Sequence, residues 1–321
     1  MISPAKPMIV GVIGCGSMGS NHVRVYSGLR DVHDVLVYDS DPSAADRMLQ
    51  YGAHSFADLH DMLQLCDMVS ICVPTPLHKD VVCAVVAECV PFLVEKPIAG
   101  TLEDAYVIDS LDPNPGSGVG HIERFNPLSN AVRDLMSCPR YISIRRHNPG
   151  SSRVSDTSVV DDLMIHDVDL VRHLFFGCEP DGVQSSVSDG VAHALLSYDD
   201  VVVSLSASRI SANKVRDIVV ECEDFTIVGD FMTQELLVYR KPDTTIFVSG
   251  EYRQEQVVEK ILVPRVEPLK AELSEFVRCV REGDAFPVSV EESVQNMELC
   301  GAIKHDRSSC SCGSVGCCQR R

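Results

Sequence analysis

The N-terminal part of the sequence alternates short apolar runs with longer amphipathic segments, and this alternation restricts the fold more than any other feature. A short apolar run bounded by turn residues is typical of a buried strand, and strands that alternate with helices form a parallel sheet with helices on both faces. The segments that predict strands are MIVGVIG, DVLVYD, DMVSICVP, FLVEKP and GSGVGHI. The sequence therefore predicts an α/β fold that begins with a parallel sheet.

Residues that begin and end helices occur between these strands. Asp41 is a predicted N-cap, Pro42 suits the first helical position, and Gly52 suits a left-handed helix stop. Thr101 is a second predicted N-cap. These positions agree with the predicted alternation of strands and helices.

The first predicted strand runs into a glycine motif of the form GxGxxG. In a strand-turn-helix unit the first glycine permits the tight turn, the second lets a pyrophosphate approach the backbone, and the third lets helix and strand pack closely. The N–H groups at the start of the helix then face the phosphates. The motif predicts a Rossmann dinucleotide-binding domain over residues 1–120, with these cofactor-binding residues: Gly14, Gly16, Ser17, Met18 and Gly19.

Asp39 ends the second predicted strand, where a carboxylate accepts hydrogen bonds from the adenosine ribose. The flanking segment YDSDP holds no arginine that could neutralise a 2′-phosphate. NAD is therefore the predicted cofactor, in preference to NADP. The alternative, a surface aspartate that caps the next helix, fits Asp41 better than Asp39.

Two further strand ends predict contacts near the nicotinamide half of the cofactor. Pro74 and Thr75 lie at the end of the predicted strand DMVSICVP, and ligands of open α/β sheets bind at the carboxyl edge. His78 is included in the predicted cofactor site, although the interpretation that it only opens the next helix is favoured. In LVEKPIAG, Glu95 and Lys96 end an apolar strand, and both are included in the cofactor site; Glu95 is interpreted as mainly structural.

After residue 120 the pattern changes to strand-like runs with few helices between them, which predicts a second domain over residues 121–305. One amphipathic helix, VVDDLMIHDVDLVRHLFF, is set among these strands, and two more follow them and are expected to pack back on the first domain. Asp162 and His166 are four residues apart, so on an α-helix they share one face. A carboxylate beside an imidazole can fix its tautomer and favour its protonated form.

Charge and hydropathy narrow the possible partners. The 321 residues include 46 acidic and 28 basic ones, and the formal net charge of -18 argues against nucleic acid or an anionic membrane as the main partner. The longest apolar stretch, residues 81–94, is interrupted by Glu88 and Pro91 and is too short to cross a bilayer. We expect a cytoplasmic protein with reduced thiols, and a disordered tail over residues 306–321 that holds four cysteines, Cys310, Cys312, Cys317 and Cys318.

Taken in order, the GxGxxG, the acidic residue after the second strand, CVPTPLH, EKP, GHIERFNP and DDLMIHDVDL resemble the motifs of the glucose-fructose oxidoreductase, inositol dehydrogenase and MocA family. The resemblance covers nearly the whole chain except the cysteine tail. It implies a second domain built on an open, largely antiparallel sheet and an NAD(P)-dependent oxidation of a sugar alcohol. Within the family, the last two segments look most like the UDP-N-acetylglucosamine 3-dehydrogenases, which implies oxidation of the 3-hydroxyl to a 3-keto sugar.

The resemblance also assigns roles to particular residues. It implies that His166 is the general base, that Asp162 positions the substrate, and that Lys96 stabilises the developing alkoxide, although Lys96 or a water could instead receive the proton. It implies a cis bond before Pro97. Zinc is the other interpretation of an Asp-His pair, but His121 and Glu123 do not supply a compelling third ligand, and the resemblance implies no metal.

Arginine and amide side chains are the predicted contacts to a sugar nucleotide, because arginine binds a pyrophosphate bidentately. The predicted substrate residues are Arg124, Asn126 and Arg153. Two alternatives stay open: a dehydrogenase of a free sugar or inositol, and a non-catalytic member that senses NAD or a sugar. The open face of the second sheet predicts a homodimer or homotetramer.

Overall fold

The computed structural model describes residues 8–111, 113–149, 157–241, 245–248, 251–254 and 256–305. Arg153 and the predicted tail, residues 306–321, lie outside this part of the chain.

The first sheet has six parallel strands in the order β3-β2-β1-β4-β5-β6. This order is that of dinucleotide-binding Rossmann folds, in which a crevice opens at the carboxyl edge where the order reverses. The five predicted strands are present. The two-residue strand β3 was not predicted, because it contains no apolar run. The strands are β1 (Met8–Ile13), β2 (Val32–Tyr38), β3 (His54–Ser55), β4 (Met68–Ile71), β5 (Phe92–Glu95) and β6 (Gly118–Gly120).

The helices around this sheet begin and end at the predicted residues. Asp41 accepts a hydrogen bond from Ser43 N at 3.0 Å, and Thr101 Oγ1 accepts one from Asp104 N at 3.1 Å. Gly52 has a φ of 83°, the left-handed conformation that suits glycine at a helix stop. The helices are α1 (Ser17–Tyr26), α2 (Pro42–Asp46), α3 (Leu59–Leu63), α4 (His78–Ala87) and α5 (Leu102–Asp109).

The second sheet has eight strands in the order β16-β13-β12-β11-β7-β10-β9-β8. The β7–β10 pair is parallel, and the other pairs described in this sheet are antiparallel. A separate hairpin joins β14 (Thr245–Val248) to β15 (Glu251–Gln254). The sheet strands are β7 (Pro139–His147), β8 (Gly182–Ser188), β9 (Val191–Tyr198), β10 (Val201–Ser208), β11 (Val215–Cys222), β12 (Phe225–Asp230), β13 (Glu235–Arg240) and β16 (Val258–Ile261).

Three further helices pack against the two sheets. Helix α6 (Pro127–Leu135) buries Leu128 and Val132 in the core of the second sheet. Helix α8 (Pro268–Glu282) buries its apolar face in the core of the first sheet, and α9 (Val290–His305) contributes side chains to both cores. Within the described ranges, none of the helices has the length and apolar character that crossing a bilayer requires.

The helix predicted to carry Asp162 and His166 is present, but it is not a uniform α-helix. π-helical turns form Val160–Met164 and Leu170–Phe176, and the α-helical turn α7 (Ile165–Asp169) lies between them. Wider π turns are frequent at functional sites, because they change the direction in which side chains point. Asp162 lies in the first π turn and His166 in α7, so the two do not have ideal α-helical spacing.

Candidate active site

The glycine turn after β1 has the geometry that a bound dinucleotide needs. Gly14 has a φ of +91°, and a Cβ at Gly19 would collide with Gly14 O. By contrast, a Cβ at Gly16 would have no atom within 4 Å, so this side of the turn is open. No side chain within the described residues caps the first N–H groups of α1. Backbone donors are therefore free to face a pyrophosphate at Gly16.

Asp39 lies beside this turn at the end of β2. Its Oδ2 accepts a hydrogen bond from Cys15 N at 2.6 Å, and its Oδ1 accepts one from Asp41 N at 2.8 Å. The carboxylate therefore fixes the glycine turn, and each oxygen keeps a lone pair for a ribose hydroxyl.

His78 joins the two loops that follow β4 and β5. Its Nδ1 lies 3.0 Å from Pro97 O and its Nε2 lies 3.0 Å from Val73 O. The ring is 1% exposed at the start of α4, and burial lowers its pKa, which favours the neutral form. This position agrees with the interpretation that His78 opens the helix, and it gives the residue a role in holding the loops. Beside them, a cavity of about 660 Å³ is lined by Pro74, Thr75, Pro97, Asp161 and α9 residues.

Lys96 leaves β5 at the carboxyl edge of the first sheet and reaches the second domain. Its Nζ donates to Asp162 O at 2.7 Å and lies 3.4 Å from Asp162 Oδ1. The Lys96–Pro97 peptide bond is cis, as the family resemblance implied. The lysine is 16% exposed and so remains accessible from the cleft.

Glu95, the last residue of β5, pairs with His22 of α1. The His22 Nε2 to Glu95 Oε1 distance is 2.9 Å. Burial alone would raise the pKa of Glu95, but the hydrogen bond and charge of His22, with the charge of Lys96, lower it overall. Glu95 is thus an ionised structural residue behind Lys96, which agrees with its interpretation from sequence.

A second buried carboxyl, Glu272 of α8, lies near Glu95. Its side chain is 0% exposed, and neither carboxyl oxygen has a hydrogen-bond partner within the described structure. Burial raises the pKa of Glu272 well above its ordinary value, and the charges of Glu95 and Asp169 raise it further. Glu272 is therefore protonated in the folded protein at a pH where it is ionised in the unfolded chain.

We expect Glu272→Gln to stabilise the protein at pH 8 by about 1–3 kcal/mol, because the glutamine stays neutral in both states. A raised folded pKa contributes full stability below the unfolded pKa, about pH 4, and this contribution is lost as pH rises toward the folded pKa. Urea unfolding at pH 5 and pH 8 measures the effect, with the exposed Glu221→Gln as control. A stability difference from wild type that is equal at both pH values would contradict the prediction.

Asp162 lies between two cations. Besides Lys96 at its Oδ1, it accepts a hydrogen bond at Oδ2 from Arg209 at 3.1 Å. Arg209 also donates to Thr157 O at 2.6 Å and to Ser158 O at 3.2 Å, which anchors the entry to the π turns. Arg209 was not among the predicted site residues, although a cation directly after the predicted strand VVVSLSAS was a usable signal.

His166 lies one turn beyond Asp162 and is partly buried. Its Nδ1 is buried without a hydrogen-bond partner among the described residues, and the Asp162 carboxylate contacts Lys96 and Arg209. The expected pairing of this carboxylate with the imidazole is thus not formed. Burial, followed by the charges of Lys96, Arg146 and His121, lowers the pKa of His166 well below its ordinary value. The imidazole is therefore neutral at pH 7 and can accept a proton.

Two of the predicted substrate residues are engaged within the protein. Arg124 donates to Asp169 Oδ2 at 2.7 Å and Oδ1 at 2.8 Å, and its side chain is 10% exposed. Asn126 is 2% exposed, and its Oδ1 accepts from Leu128 N at the start of α6. Both side chains connect elements of the structure, so the site brings together Lys96, Asp162 and His166 but not these two residues.

Comparison with known families identifies the class of the N-terminal domain. Residues 8–111 match the family described as oxidoreductases with an NAD-binding Rossmann fold, the glucose-fructose oxidoreductase, inositol dehydrogenase and MocA family. This match confirms the resemblance, the Rossmann fold and the NAD cofactor predicted from the motifs. The second sheet confirms the predicted largely antiparallel architecture.

Individual relatives extend the similarity to most of the chain. UDP-N-acetylglucosamine 3-dehydrogenase from Acidithiobacillus ferrooxidans is 28% identical over 283 residues, which cover 85% of this chain and 88% of that protein. A crystal form of that enzyme superimposes with a TM-score of 0.81 at 26% identity, covering 92% of this chain and 96% of the other. Inositol 2-dehydrogenase from Burkholderia cenocepacia is 27% identical over 180 residues, 51% of this chain and 53% of that protein.

Proposed function

We propose that this chain is an NAD-dependent dehydrogenase that oxidises a secondary hydroxyl of a sugar nucleotide, the 3-hydroxyl of UDP-N-acetylglucosamine, to the ketone. The observation that carries the proposal is the meeting of Lys96, Asp162 and His166 at the carboxyl edge of an NAD-binding sheet. The choice of substrate is supported by the similarity to the Acidithiobacillus enzyme over 85% of the chain.

The roles of the three side chains follow from their charges. NAD, when bound at the glycine turn, supplies the hydride acceptor. The neutral imidazole of His166 accepts the hydroxyl proton, and the Lys96 ammonium stabilises the negative charge that develops on the substrate oxygen. Asp162 holds the lysine in place through its backbone oxygen and carboxylate, while Arg209 fixes the carboxylate from the other side.

Incubation of the protein with NAD and a panel of UDP-sugars, free sugars and inositols tests this proposal by absorbance of the reduced nicotinamide. We expect oxidation of UDP-N-acetylglucosamine with NAD and a much slower rate with NADP, because the Asp39 carboxylate repels a 2′-phosphate. Oxidation of free polyols alone would contradict the sugar-nucleotide assignment. It would favour the second candidate, an inositol dehydrogenase, which the match to the Burkholderia protein supports. Inactivity on every alcohol would favour a sensor.

We further propose a cytoplasmic homo-oligomer, a dimer or tetramer. Leu195 of β9 and Val202 of β10 are 40% and 45% exposed on the face of the second sheet that the helices leave open. Burial of apolar side chains against a second copy would remove this area from water. Light scattering measures the mass, and a monomer at micromolar concentration would contradict the proposal.

A further inference from the structure

The ends of β10 and β11 place three cations beside the candidate active site. Arg209 directly follows β10, and Lys214 directly precedes β11. Arg216 is the second residue of β11 and lies opposite Arg146 of β7. Arg216 shares the sheet face of the buried residue Ile218, which is the face that the helices cover. After burial, the charges of Lys96 and Arg216 are among those that lower the pKa of His166, so Arg216 lies within electrostatic range of that imidazole.

Few carboxylates among the described residues face these cations. Lys96 and Arg209 both pair with the carboxylate of Asp162. Arg146 and Arg216 share Glu123, at 2.7 Å and 3.8 Å from Glu123 Oε1 respectively, and Asp167 is taken by Arg146. Lys214 has no carboxylate partner in the part of the chain that the structure describes. Among the described residues, Arg146, Arg216 and Lys214 thus have two carboxylate partners, Glu123 and Asp167, in a chain whose formal net charge is -18.

Arg216 is incompletely satisfied by the protein. Its Nε is buried without a hydrogen-bond partner among the described residues, while the side chain as a whole remains 30% exposed. Burial and the neighbouring Arg146 lower the pKa of Arg216, and the charge of Arg216 in turn lowers the pKa of the exposed Lys214. A buried donor without an acceptor is costly, and mutual repulsion adds to this cost. An anion bound between the two side chains would relieve both.

We propose that Arg216 and Lys214 form an anion subsite that binds the diphosphate of a sugar nucleotide, with the sugar directed toward Lys96 and His166. This inference rests on the proposed function, since the diphosphate belongs to the proposed substrate. The guanidinium suits bidentate contact with phosphate oxygens, and the flexible ammonium adds a point charge. The subsite explains how an acidic protein selects an anionic substrate.

Calorimetric titration of the NAD-saturated protein with UDP tests the subsite independently of turnover, since NAD keeps the Rossmann site occupied. We expect Lys214→Gln and Arg216→Gln each to weaken UDP binding about 10- to 100-fold. Arg240→Gln and Lys260→Gln, exposed positions of the same sheet, are the matched controls and should bind UDP like wild type. Lys214 is exposed, so its variant should fold even if Arg216→Gln does not.

Kinetics distinguish failure of the subsite from failure of the proposed function. With UDP-N-acetylglucosamine as substrate, the two variants should raise KM by a similar factor and change kcat less than about threefold. Unchanged UDP affinity and KM in both variants would overturn the subsite while leaving the dehydrogenase assignment intact. Titration with glucuronate separates a carboxylate from a phosphate as the ligand, and binding of glucuronate without binding of UDP would also overturn the proposal.

Discussion

Replacement of Lys96 by methionine is expected to lower kcat on the sugar substrate by about 100- to 1000-fold, the usual effect of removing a charge-stabilising donor from an active site. Methionine keeps the length of the side chain but cannot stabilise negative charge on the substrate oxygen. Affinity for NAD, measured by fluorescence titration, should change little, because the glycine turn and Asp39 lie at the other half of the cofactor site. Lys79→Met is the matched control, because Lys79 is a lysine of α4 that pairs with Asp104 of α5.

The pH profile of the remaining activity separates a charge effect from a structural one. Lys96 is the first charge, after burial, that lowers the pKa of His166. Without this cation the pKa of His166 should rise, so His166 becomes protonated, and inactive as a base, at a higher pH than in wild type. The acid limb of kcat/KM should therefore move to higher pH in Lys96→Met. A kcat within threefold of wild type, or an unshifted acid limb, would exclude the proposed role.

Replacement of His166 by alanine should lower kcat by about 100- to 10,000-fold, since general base catalysis contributes on this scale. NAD affinity should again be retained. Loss of NAD binding together with activity would indicate that the alanine disturbs the helix, rather than that it removes the proton acceptor.

The first sheet could be predicted from the sequence because local sequence signals determine its strands, turns and helix ends. Apolar runs define buried strands, and the glycine motif and the residues Asp41, Gly52 and Thr101 define turns and helix ends through contacts only a few residues long. The two-residue strand β3 was not predicted because both of its side chains are exposed and only backbone pairing with β2 defines it. The order of the second sheet, with β7 parallel to β10, depends on long-range pairing that periodicity does not encode.

The candidate site was only partly predictable for a related reason. Lys96 and His166 lie in recognisable motifs, but the partner of Asp162 was predicted from α-helical spacing. Because of the π turns and the position of Arg209 at the end of β10, the Asp162 carboxylate contacts cations instead. Arg124 looked like a ligand-binding residue because its charge is visible in the sequence, whereas its partner Asp169 lies 45 residues away. The sequence shows which charged residues are present, but the fold determines which of them form ion pairs within the protein.

Arg146 illustrates this last point and leads to the largest expected effect on stability. Its guanidinium is 1% exposed and donates to Asp167 Oδ1 at 2.7 Å and to Glu123 Oε1 at 2.7 Å. Burial alone would raise the pKa of Glu123, yet Arg146 lowers it overall, which keeps the carboxylate ionised. We expect Arg146→Met to lower the free energy of unfolding by about 3–5 kcal/mol, because it removes the cation at hydrogen-bond distance from both buried carboxylates.

The neighbouring residue on the same strand is the matched control. Arg145 points to the opposite face of β7, is 54% exposed and pairs with Asp217 on the neighbouring strand β11. Arg145→Met should therefore lower the free energy of unfolding by less than about 1 kcal/mol. Adding Glu123→Gln and Asp167→Asn to Arg146→Met removes the uncompensated charges and should recover part of the loss. Urea unfolding monitored by circular dichroism measures all three proteins. Equal losses for Arg145→Met and Arg146→Met would contradict the prediction, because they would mean that the buried carboxylates do not depend on Arg146 to compensate their charge.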